Sequence, residues 1–216
     1  MANVFELVTA GDVEGLRELV AGHPSAASAR DEQGLSAVLQ AQYRGRDDMV
    51  AVLLEAGPEL DLFEASALGN NDRVTAVLDA DPGRVNAWAP DGFTPLHLAV
   101  FFGHGATAQM LIARGADVRA VSRNPMEVMP LHSAAAGRSR AAVEAVLDAD
   151  VDVDARSHGG FTALHDAAQN GDLAIVGLLL ERGADPNTTD ERGRTPQALA
   201  TEAGHPDIAD LLEGRA

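Results

Sequence analysis

A four-residue core returns along this chain at a fixed interval, and that recurrence limits the fold more than any other feature. Thr94-Pro95-Leu96-His97 is echoed by Thr162-Ala163-Leu164-His165 and by Thr195-Pro196-Gln197-Ala198. Thr162 and Thr195 stand 33 residues apart, as do His132 and His165. The fullest copy runs from Asp91 to Asp117, DGFTPLHLAVFFGHGATAQMLIARGAD. Asp91-Gly92 marks a turn. Thr94 is placed to cap a helix beginning at Pro95, where a missing N–H costs nothing. Leu96 and Ala99 form the apolar stripe of that helix, which stops by Gly103. Ala108, Leu111 and Ile112 form a second stripe, which Gly115 closes. Helices this short cannot bury their faces alone, so the unit requires stacked copies of itself.

With that core, a period of 33 residues and the repeated Gly115-Ala116-Asp117 and Gly183-Ala184-Asp185 signatures, the chain resembles the ankyrin-repeat family. The resemblance covers essentially the whole chain. It implies an all-α fold, an ankyrin-repeat solenoid of about seven helix-turn-helix repeats with short β-hairpin-like fingers. The expected organisation is one domain over 1–216, with repeats at about 1–30, 31–60, 61–88, 89–121, 122–156, 157–189 and 190–216.

The copies are unequal. Repeat one lacks the entry turn and reads as an N-terminal cap; repeat seven, with its polar tail, reads as the C-terminal one. Repeat two has Ser36 as its cap and Leu39 in the histidine slot. Residues i and i+58 match through repeats one to four, with Phe5 on Phe63, Gly11 on Gly69, Gly45 on Gly103 and Gly57 on Gly115. Repeat three therefore carries the shape of a terminal cap in mid-chain, and a shortened finger with a change of curvature is expected there. Between His97 and His132 the interval stretches to 35 residues, giving a long loop around Arg123 to Val128. Repeat five has Met129 in the threonine slot, and its Gly137 falls one residue early.

Composition narrows the chemistry. Of the 216 residues, 46% are hydrophobic but only 4% aromatic, which suits close packing of small-residue helices. No cysteine is present, which excludes disulfides and thiolate metal sites. All 16 basic residues are arginines, which excludes lysine Schiff-base and P-loop chemistry and points to a GC-rich bacterial source. The net charge of −17 argues against nucleic acid and anionic membranes as partners and leaves room for a basic protein surface. No apolar run approaches the roughly 20 residues of a membrane span. The opening MANVFELVTAGD has no basic region, so no secretory signal is expected, and the cytoplasm is the expected compartment.

No motif carries catalysis. In the resembled family, the once-per-repeat histidine His97, His132 or His165 braces neighbouring turns, and successive copies lie too far apart to share a metal. Ser133 beside His132 and Asp166 beside His165 face different directions and make no dyad. The acidic run Asp148 to Asp154 lacks the glycine and terminal glutamate of a calcium loop. No catalytic, cofactor or metal residue is therefore assigned.

The aromatics are more informative. Phe5 and Phe63 fall in the histidine slot and are expected in the core. Tyr43, Trp88, Phe93, Phe101, Phe102 and Phe161 occupy sites that vary within the resembled family, with Met126 and Val128 of the long loop beside the central four. The resemblance places these eight on the concave groove formed by fingers and first helices, where a protein or peptide partner would bind. Arg44, Glu32, Gln33, Gln169, Asn170, Arg194 and Glu202 would form its polar rim. The expected function is non-catalytic protein–protein interaction by a monomer. The alternatives are a dedicated stabilising or toxin-neutralising partner of one enzyme, or a small-ligand site near Trp88.

Overall fold

The computed structural model describes residues 3–215, so residues 1, 2 and 216 of the terminal repeats lie outside the described residues. In chain order the helices are α1 (Val4–Ala10) and α2 (Val13–Gly22), α3 (Ala37–Tyr43) and α4 (Asp47–Glu55), α5 (Leu62–Ala67) and α6 (Asn71–Ala80), and α7 (Pro95–Phe101) and α8 (Gly105–Ala113). They continue with α9 (Pro130–Ala136) and α10 (Arg140–Leu147), α11 (Ala163–Gln169) and α12 (Leu173–Glu181), and α13 (Pro196–Ala203) and α14 (Pro206–Glu213). Odd-numbered helices stack on one another, as α5, α7, α9, α11 and α13 do in turn, while α8, α10 and α12 form a second layer behind them. The only β-pairing among the described residues is an isolated bridge between Arg30 and Ser36 in the first finger.

Most first helices are started by a capping side chain, α9 with Met129 at its cap being the exception. Ser36, Thr94, Thr162 and Thr195 accept from the backbone N–H of the third helical residue, and Pro95, Pro130 and Pro196 occupy first helical positions. Repeat three differs as its short finger requires. Six residues join α4 to α5, and α5 begins one residue later than the pattern sets. Asp61 becomes the cap, and Glu64 accepts from the Asp61 backbone N–H at 2.7 Å, the task histidine performs elsewhere. Glu64 is buried, and Arg30 of the first finger reaches both Glu64 (3.2 Å) and Asp61 (3.0 Å). Phe63 keeps the histidine's place and is buried as expected, whereas Phe5 is only half-buried.

The core follows the same division. One cluster spans α1 to α4, a larger one runs from Leu62 to Leu212, and a third joins them on the first-helix side through Leu39, Phe63, Ala67, Ala89 and Leu98. Tyr43, Phe93 and Phe102 pack against this third cluster.

Repeat five shows what the early glycine does. The turn after α9 keeps its place; it is the glycine that is displaced. Arg138 takes the left-handed conformation (φ 56°) that Gly103 (φ 83°) and Gly171 (φ 74°) supply in the neighbouring repeats. Gly137 is helical instead, and it is needed for another reason: a Cβ there would lie 2.1 Å from the Phe101 carbonyl oxygen. A non-glycine residue in the left-handed region costs about 1 kcal/mol. Arg138→Gly is therefore expected to stabilise the chain by about 1 kcal/mol, and Gly137→Ala to destabilise it by about 2 kcal/mol or more. Urea unfolding of the two variants checks both signs.

Candidate functional site

The histidines set the spacing of the first helices. His97 Nδ1 lies 2.7 Å from Thr94 Oγ1 and accepts from the Thr94 backbone N–H at 3.3 Å, while Nε2 donates to the Val128 carbonyl at 3.0 Å. His132 accepts from the Met129 N–H (3.3 Å) and donates to the Phe161 carbonyl (3.2 Å). His165 accepts from the Thr162 N–H (3.2 Å) and donates to the Arg194 carbonyl (3.1 Å). A carbonyl only accepts and a backbone N–H only donates, so each ring carries its proton on Nε2 alone and is neutral. Burial holds all three below the ordinary histidine range, His97 at about 4.

The long loop is built onto this frame. The Arg123 N–H donates to the Gly92 carbonyl at 2.8 Å, and the approach is so close that a Cβ on Gly92 would sit 2.7 Å from the Arg123 carbonyl carbon. Asn124 Nδ2 donates to the Asp91 carbonyl (3.0 Å), and its Oδ1 accepts from the Met126 N–H (3.1 Å). The Ser122 N–H donates to the Val128 carbonyl at 2.8 Å, closing the loop at its base. These bonds hold Met126 and Val128 over the ends of α7 and α9.

Beneath the loop lies a cavity of about 370 Å³, open to solvent. Tyr43 and Phe93 line it with His97, Leu98 and Phe101 of α7, Met126 and Val128 of the loop, His132, Ser133 and Ala136 of α9, and Asp166 of α11. Phe101 is 38% exposed and Met126 51%, so apolar surface faces water here. Tyr43 is fixed by donating its hydroxyl to Asp91 at 2.7 Å; burial, then the Asp91 charge, raises its pKa. Five of the eight expected groove residues thus meet in one cavity: Tyr43, Phe93, Phe101, Met126 and Val128.

The other three do not line it. Phe102 is half-buried behind the rim, its ring 5.3 Å from Tyr43 and 5.1 Å from Phe101. Trp88 lies under the Arg123 guanidinium at 4.3 Å, and Phe161 stands beside His165 with Arg194 over it at 5.9 Å. Of the expected rim, Arg194 is committed to Asp190 (2.8 Å) and Glu202 (3.2 Å).

Two residues set aside on sequence grounds do reach the cavity, Ser133 and Asp166. With His132 they assemble a serine, a histidine and an acid in one place. Both His132 ring nitrogens are held by backbone groups, so no base is directed at the Ser133 hydroxyl. Asp166 is half-buried, and burial alone pushes its carboxyl up to about 7. Among the described residues, no group of three or more His, Cys, Asp or Glu side chains is placed to hold a metal ion, and no helix is long and apolar enough to cross a membrane.

The acid sensitivity of the frame follows from the signs. A histidine whose folded pKa is lowered from 6.5 to about 4 contributes stability that is fully present above the unfolded pKa and is lost as pH falls through that window. Asp166, raised from 3.8 to about 7, acts oppositely and regains stability on acidification. In an Asp166→Asn background, moving from pH 7 to pH 5 is therefore expected to cost about 2 kcal/mol through His97 alone. Denaturant midpoints at the two pH values, with His97→Gln as reference, measure it.

Comparison with known proteins agrees with this architecture. The family profile described as ankyrin repeats (3 copies) matches residues 5–122, 62–157 and 121–190. The mouse B-cell lymphoma 3 protein homolog (Mus musculus) is 37% identical over 124 residues, 55% of this chain and 27% of that protein. Ankyrin repeat and KH domain-containing protein mask-1 of Caenorhabditis elegans is 32% identical over 159 residues, 74% of this chain and 6% of that protein. Human ankyrin repeat and SOCS box protein 16 (Homo sapiens) is 31% identical over 185 residues, 78% of this chain and 40% of that protein. The chain thus spans well under half the length of these relatives, all of them animal proteins. Profile, helix pairs and histidine frame together make this chain a member of the ankyrin-repeat family.

Proposed function

We propose that the chain is a non-catalytic docking module that seats a partner protein or peptide on the cavity beneath the long loop. Ankyrin repeats mediate protein–protein interaction, and the observation that carries this reading here is exposed apolar surface on a tied frame. Met126 is held open to water by a loop fixed at Gly92, Asp91 and Val128, and Phe101 stands exposed at the end of α7. Pre-organised anchors lose little ordering entropy on binding, so a few large apolar contacts suffice. The net charge of −17 favours a partner with basic surface. A cytoplasmic monomer completes the reading. A bacterial source rests on the arginine-only composition and is proposed on that ground alone. A dedicated stabilising or toxin-neutralising role toward one enzyme is the same docking with a single obligate partner.

The test uses a variant chosen to spare the core, Phe101→Ala with Met126→Ala, both residues being exposed. Affinity capture from the source organism, followed by titration of the captured partner as purified protein, is expected to show roughly 30-fold weaker binding by the variant. Unchanged affinity would move the interface off this cavity.

A further inference from the structure

Docking explains the apolar walls of the cavity and leaves its one acid unexplained. Other carboxylates beside the first helices have partners: Asp31 accepts from the Leu35 N–H and from Gln40, Asp91 from Tyr43, and Asp190 from Arg194. The Asp166 carboxylate accepts from no described residue, and burial is the sole cause of its raised pKa. Each residue following a frame histidine, Leu98, Ser133 and Asp166 in succession, lines the cavity, so the row changes from apolar to anionic toward the C-terminal repeats. The carboxylate opens onto an apolar cavity whose lining supplies no cation, an arrangement that a basic group on a ligand would complete. The arginines that act on neighbouring His165 are engaged elsewhere, Arg194 with Asp190 and Glu202 and Arg156 with the Gly160 and Thr189 carbonyls, and Arg123 lies over Trp88.

Building on the docking reading, we propose that Asp166 selects the partner: the cavity takes a peptide whose large apolar side chain sits among Tyr43, Phe101 and Met126 while a neighbouring lysine or arginine reaches the Asp166 carboxylate. The complementarity is one of charge and shape together. An apolar anchor alone leaves the acid desolvated and unpaired, whereas a cation beside it supplies the missing partner. An acidic or phosphorylated segment is repelled by the same group.

The groups around Asp166 allow its ionisation to be isolated. His132 of α9 and His97 of α7 line the cavity and are held neutral, as is His165 on the same helix; on α13 Glu202 is paired with Arg194, and Tyr43 donates to Asp91. Binding that requires the Asp166 carboxylate therefore strengthens as pH rises through 7, roughly 10-fold between pH 6 and pH 8.

A random peptide library displayed on phage, selected on the wild-type chain and on Asp166→Asn confirmed folded by circular dichroism, supplies the probes. Wild-type selections are expected to pair an apolar residue with a lysine or arginine at constant spacing. Replacing that base by glutamine should weaken wild-type binding about 30-fold and leave Asp166→Asn nearly unaffected. The pH dependence should vanish in the same variant. Selected peptides with no fixed base, or an equal dependence on the base in Asp166→Asn, would overturn the role of Asp166; the docking reading survives if Phe101→Ala still weakens those peptides. Peptides indifferent to Phe101→Ala, or no enrichment at all, would overturn both.

Discussion

The cavity beneath the long loop depends on a buried imidazole with both nitrogens engaged. In α7, α9 and α11 the ring accepts from the backbone at the start of its own helix and donates to a carbonyl at the entrance of the next repeat. The second bond crosses the repeat boundary, so it fixes the height of one first helix relative to the next. A neutral ring is required, because protonation of Nδ1 removes the acceptor; burial supplies that condition. The cavity floor is made by residues adjacent to these histidines, and its geometry is inherited from them.

Where the histidine is absent, other chemistry takes over its two tasks. In repeat three Glu64 closes the helix start, Arg30 spans to the preceding finger, and Phe63 fills the ring's volume. The main core is interrupted there, and the third cluster around Leu39, Phe63 and Leu98 joins the two halves on the side that also carries Tyr43 and Phe93. The site thus lies beside the one seam of the solenoid, closed by packing rather than by a finger.

Much of this was legible in the residues themselves, because a repeat writes its local structure many times over. Thr94, Pro95 and His97 specify cap, first turn and brace without help from distant sequence, and the i+58 correspondence places the short finger of repeat three. What the residues alone do not reveal lies where a side chain's environment is supplied by another repeat. Gly137 reads as a displaced turn glycine, but the reason a glycine is needed there, the Phe101 carbonyl against it, lies in the preceding repeat. Trp88 and Phe161 read as groove aromatics, and the arginines that lie over them, Arg123 and Arg194, come from elsewhere in the sequence. Asp166 reads as one more polar residue on a helix, since its isolation is created by α9 and the long loop, neither of which is near it in sequence.

The claim on which this account stands is that the frame histidines are neutral, with the proton on Nε2. Long-range proton–nitrogen correlation spectra of the nitrogen-15-labelled chain at pH 7 report the protonation of each ring nitrogen directly. His97, His132 and His165 are expected to show an unprotonated Nδ1 and a protonated Nε2. A cationic ring, or a proton on Nδ1, would contradict the bracing geometry and the cavity built on it.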